Sequence, residues 1–130
     1  MPAAVQAQAV RSGAVSAVAL VDSHLERIAE VNPQVNAVTQ LLAERARQAA
    51  DETDRRRAAG EVLGPLAGVP FTVKESTAVE GVPTTFGTER FRDLVASADA
   101  PPVGGGPGTR GRQHGAAQRN NQGKSGGRTT

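Results

Sequence analysis

The chain has 130 residues, a formal charge of +2, no Cys, Trp or Tyr, three Phe and two His. That length suits one small domain, and an apolar set dominated by Ala and Val leaves an independent core marginal. Without thiols there are no disulfides or thiolate sites, and His24 and His114 alone cannot build an imidazole-rich centre, so no metal or cofactor is expected. No stretch approaches the ~20 apolar residues of a membrane helix, and the absence of Cys fits a reducing, cytoplasmic setting.

The first predicted element is a helix from about Ser16 to about Glu30. Ser16 suits the N-cap, and Val18, Val21, Leu25 and Ile28 fall on one stripe. The apolar patch Ala14–Val21 continues into that stripe, so it reads as helix rather than as a secretory leader. Asn32-Pro33 should end the helix, because proline disfavours α geometry in the residue before it. Val35 to Leu42 reads as extended, and a second helix is expected from about Leu41 to about Ala59.

On that second helix, Ala46, Ala49, Ala50 and Thr53 form a small-residue face suited to close packing. Asp51/Arg55 and Glu52/Arg56 are expected i,i+4 pairs. Arg55-Arg56-Arg57 complements the helix C-terminus, and Gly60 is the expected stop. His24, near Asp22 and Glu26, reads as a surface side chain.

Next comes Gly64-Pro65-Leu66-Ala67-Gly68-Val69-Pro70-Phe71-Thr72-Val73-Lys74-Glu75. Val69, Phe71 and Val73 alternate, which predicts a strand with these three on one face and Thr72 and Lys74 on the other. Lys74 then leaves the C-terminal end of the strand, where α/β folds gather ligands and chemistry. Partial desolvation there would favour the neutral amine, the form that accepts a proton, whereas the segment by itself reads more simply as a strand-terminal lysine pointing into solvent. A loop through Gly81, Pro83 and Gly87 follows, with a short helical piece around Arg90–Val95.

Residues 1–103 carry ten cations against thirteen acids; from Gly104 onward there are five cations, no acid and nine of the fifteen glycines. Residues 104–130 also lack Leu, Ile, Val, Phe and Met, so they cannot bury enough apolar area to offset their ordering entropy. The expected division is a folded part at 1–103 and a disordered Gly/Arg-rich tail at 104–130. Lys124-Ser125 is no phosphate-binding loop, since Gln118 stands where the first glycine is required. Without aromatic side chains to stack on bases, the tail is not expected to recognise a specific nucleic acid.

The string from Gly64 to Glu75, with Gly81-Val82-Pro83-Thr84-Thr85 after it, resembles the lysine segment of the amidase signature family. Members typically read Gly-Pro-Leu-x-Gly-Ile/Val-Pro-x-x-Val-Lys-Asp/Glu, then Gly-x-Pro-Thr-Thr. Leu25-Glu26-Arg27-Ile28, Val31-Asn32-Pro33 and Val35-Asn36-Ala37-Val38 are similar to the family's N-terminal stretch, so the likeness runs from about Ser12 to about Val103. It implies an α/β fold. The chain would supply two helices and the catalytic-lysine strand as the N-terminal part of a mixed-sheet α/β/α architecture.

The resemblance places Lys74 on the catalytic lysine and makes Thr84, Thr85 and Gly87 candidates to line a pocket for a small-molecule amide, with a plain turn as the equal alternative in this chain. In such enzymes the lysine takes a proton relayed through a bridging serine from a nucleophilic serine. That serine attacks the amide carbonyl to give an acyl-enzyme, which water cleaves. Both serines lie in a glycine-flanked segment beyond the lysine. After Lys74 this sequence has only Ser76, Ser97 and Ser125, none in such a segment.

The expectation is therefore an amidase-type hydrolase part that holds the base, lacks the nucleophile and is inactive alone. An exposed edge of its incomplete sheet would invite self-association. The Gly/Arg-rich end is read as the product of a changed reading frame near Val103, with a genuine flexible tail as the alternative. The competing class is a small non-catalytic module whose basic tail binds RNA or acidic partners.

Overall fold

The computed structural model describes residues 1–104 and the backbone of 116–119. In chain order the elements are helix α1 (Ala3–Ser12), α2 (Ala17–Val35), strand β1 (Val38–Leu41), α3 (Ala43–Ala58), β2 (Phe71–Lys74), a 3-10 turn (Glu89–Phe91), α4 (Pro101–Gly104) and β3 (Ala116–Arg119). No described helix is long and apolar enough to cross a membrane.

Ser16 caps α2 as expected, its hydroxyl accepting the Ala19 amide at 3.0 Å. A second cap comes from α3. The Asp54 carboxylate accepts the Ala17 and Val18 amides at 2.8 and 3.1 Å, placing negative charge at the positive end of α2. On the facing sides, Val10, Ala17, Leu20, Val21, Ala46 and Ala50 form one buried cluster, with Val18 and Leu25 packed against it. Ala46 and Ala50 are the buried part of the small-residue face of α3.

Three readings of the chain up to α3 change. First, α2 does not stop at Asn32-Pro33 but continues to Val35, with Pro33 inside it. Its last turn is held from beyond the helix. Asn36 adopts φ 45°, its amide donates to the Asn32 carbonyl at 2.7 Å, and the Asn32 side chain both donates to and accepts from the Val38 backbone. Asparagine tolerates that left-handed conformation, so the chain can turn after Val35. Second, α1 precedes the predicted helices and contributes Val10 to the core. Third, of the expected pairs on α3, Asp51–Arg55 forms at 3.1 Å, but Arg56 bonds Glu61 and Arg55 also reaches Glu52.

The sheet runs β1-β3-β2, with β3 antiparallel to β1 and parallel to β2. Its two directions make it a mixed sheet. β3 lies within the stretch read as disordered, and pairing on both sides supplies backbone hydrogen bonds that its sequence, Ala-Ala-Gln-Arg, gives no hint of. Gly104 ends α4, and the remaining residues of the expected 104–130 tail, with the readings attached to them, lie outside the described residues. Among the described strands, β2 has a neighbour on one side only, with Phe71 opposite Ala116 and Lys74 opposite Arg119. Val73, Val79, Val82 and Val103 form a second buried cluster beside β2, joined by Phe71, Leu42 and Ala100.

The predicted Arg90–Val95 helical piece is a single 3-10 turn, capped by Thr88. It lies inside a hairpin-like loop in which Pro83 bridges Val95, Thr84 N–H donates to Leu94, and Ala96 N–H donates to Val82.

Candidate active site

Along β2, Val73 is buried and Thr72 and Lys74 are exposed, as the alternation requires. Lys74 is the last residue of the strand. Its carbonyl accepts the Thr77 amide at 2.9 Å, so the chain turns away there and leaves the side chain exposed; the partial desolvation expected of it is not found among the described residues.

The same alternation sends the next side chain inward. Glu75 is 6% exposed, and a carboxylate there needs donors to offset the loss of water. Thr85 provides two: its amide and its hydroxyl both donate to Glu75 Oε1, the hydroxyl at 2.6 Å. Charge-assisted bonds of this kind are the stronger class. The Thr85 hydroxyl oxygen also accepts the Gly87 amide at 3.3 Å, and Thr88 N–H donates to the Thr85 carbonyl at 3.0 Å.

The three pocket candidates therefore differ. Thr84 is buried, and among the described residues its hydroxyl has no hydrogen-bond partner. Thr85 is half-buried and its hydroxyl is directed to Glu75; Gly87 is exposed. Phe86 and Gly87 have φ of 51° and 74°, so the loop reverses at its tip. Phe86 is exposed and meets Phe91 edge-on at 6.2 Å between ring centroids.

Glu75 and Phe86 are the residues that sequence reasoning left without a role. The signal for Glu75 was present, because Val69, Phe71, Val73 and Glu75 share one parity of the strand. No local signal marked the positive φ of Phe86. His24 is half-buried on α2 and its Nδ1 bonds the Leu20 carbonyl at 2.8 Å. Among the described residues, no group of three or more His, Cys, Asp or Glu could hold a metal ion.

Residues 19–104 match the family model described as Amidase. The indoleacetamide hydrolase of Bradyrhizobium diazoefficiens is 47% identical over 97 residues, covering 75% of this chain and 18% of that protein. An acylamidase of Rhodococcus erythropolis is 43% identical over 94 residues, covering 72% of this chain and 20% of its own. A solved bacterial aryl acylamidase of the amidase signature enzymes superposes with a TM-score of 0.77 at 30% identity, over 92% of this chain and 25% of its own. The chain thus spans about a fifth of the length of these curated relatives. Since the family match covers well over half of the sequence and includes the whole lysine strand and the loop clamped to it, this chain belongs to the amidase signature family.

Proposed function

We propose that this chain supplies the lysine base of an enzyme that hydrolyses carboxylic amides. One observation carries the reading: the lysine of a family-matched strand stands exposed at its C-terminal end, beside a loop tied to the very next residue. Lys74 would accept the proton that a serine loses as its oxygen attacks the amide carbonyl. The C–N bond then breaks, the amine leaves with a proton, and water hydrolyses the acyl ester. Gly87, with the adjoining Phe86, is the part of the loop open to a small-molecule amide. Thr84 and Thr85 shape that loop from within.

The 130 residues hold no glycine-flanked serine pair, so the nucleophile has to come from other sequence. The test is a chimera in which residues 19–104 replace the matching segment of the Bradyrhizobium indoleacetamide hydrolase. The chimera is expected to hydrolyse indoleacetamide, while the 130-residue chain alone shows no turnover above background. A chimera that folds without activity would sink the proposal. So would turnover by the chain alone that survives Lys74→Ala.

A further inference from the structure

Glu75 is a buried charge that proton transfer at Lys74 does not itself use. It is only 6% exposed, and burying a charge costs more than burying an alkyl side chain of similar size. What the carboxylate does instead is join two pieces of chain. One is the end of β2, where Lys74 is the adjacent residue. The other is the loop spanning 81–96, which is stitched to itself by the Thr84–Leu94 and Ala96–Val82 bonds. Thr85 lies one residue before the reversal at Phe86 and Gly87, and gives Glu75 both its amide and its hydroxyl.

We infer that Glu75 is a positioning residue: its carboxylate holds the reversal at Thr85–Gly87 in fixed register with Lys74, so that the substrate-facing loop and the base move as one unit. This rests on the reading of Lys74 as base, but it makes a structural claim that can be tested without turnover. Both donors converge on one oxygen, Oε1. A neutral acceptor of the same shape, glutamine, should therefore keep the register, whereas alanine should release it.

The experiment uses the full 130-residue chain with Glu75→Ala, Glu75→Gln and Thr85→Val. Hydrogen exchange is read at the Thr85 and Gly87 amides. Acylation of Lys74 by an amine-reactive ester is read by mass spectrometry, with Lys124, the other lysine, as internal reference. Glu75→Ala is expected to speed Thr85 exchange at least about tenfold, the scale of a hydrogen bond to a charged group. It should also change the Lys74/Lys124 acylation ratio, and Glu75→Gln should restore most of both. Amides of Val10, Leu20 and Ala46 should be unaffected.

Exchange at Thr85 and an acylation ratio unchanged in Glu75→Ala would overturn the inference. So would a Glu75→Gln that behaves like alanine. Should Glu75→Ala unfold the chain, Thr85→Val decides. It removes only the hydroxyl donor, and must speed Gly87 exchange and shift the acylation ratio with the helices intact; otherwise the inference fails. A failure here leaves Lys74 as base untouched, because the chimera tests that role separately.

Discussion

Lys74→Ala in the chimera is expected to lower kcat/KM for indoleacetamide by about 10²–10⁴-fold, the range supplied by a positioned general base. The loss should fall on kcat with KM little changed, since the lysine acts on a proton in flight rather than on bound substrate. Lys74→Arg is the sharper control. Arginine keeps the positive charge and much of the length, yet cannot be deprotonated in a protein. An electrostatic role would survive the exchange, while a base is lost as fully as with alanine. Steady-state kinetics on the two variants, with melting curves to show intact folding, separates the cases. A Lys74→Arg variant that retains most of the activity would rule out the base.

A second large effect is expected far from the lysine. Gly68 has φ +78°, and a Cβ built on it would lie 2.9 Å from a Val10 methyl and 3.0 Å from the Ala17 methyl. Both neighbours are fully buried, so neither can move without disturbing the α1–α2 core. Left-handed backbone costs a non-glycine residue about 1–2 kcal/mol, and overpacking adds roughly 1–3 kcal/mol. Gly68→Ala should therefore destabilise the chain by on the order of 3 kcal/mol, a large share of what a small domain has. Helical circular dichroism and protease resistance should both fall. A variant with unchanged helix content and resistance would show that the loop from Gly64 to Gly68 does not pack on the core as described.

How much of this was legible depended on where the determining forces lie. The Lys74 strand could be read because its apolar residues alternate, and α3 because small side chains recur on one face and Gly60, with φ 75°, ends it. Pro33 misled because the residues that carry α2 past it, Asn32 and Asn36, act through a left-handed cap and bonds to Val38. A single dipeptide rule does not weigh those terms. Helix α1 was missed because its Ala/Val/Gln run has a weak pattern and its N-cap, Pro2, makes no side-chain bond. β3, reading Ala-Ala-Gln-Arg, has no β-branched or aromatic residue; its extended form comes from its neighbours β1 and β2.

At the candidate site, the place of Lys74 at the end of its strand was legible and its surroundings were only partly so. The family-like Thr84-Thr85 pair marked the loop that folds back on Glu75, but a sequence does not say which hydroxyl faces inward. Thr84 is buried, and Thr85 bonds a carboxylate ten residues earlier. Glu75 could have been placed on the buried face by parity alone. Its partner could not, because that contact depends on how the loop folds back.

If Lys74 activates a serine, the reactivity of that serine reports it most directly. A fluorophosphonate forms an Oγ–P bond with an activated serine and releases fluoride, so its labelling rate measures activation apart from the amide leaving group. In the chimera, a serine of the host enzyme should label readily, and Lys74→Ala should slow that labelling by about 100-fold or more with the melting temperature unchanged. Equal labelling rates in the chimera and its folded Lys74→Ala variant would contradict the account.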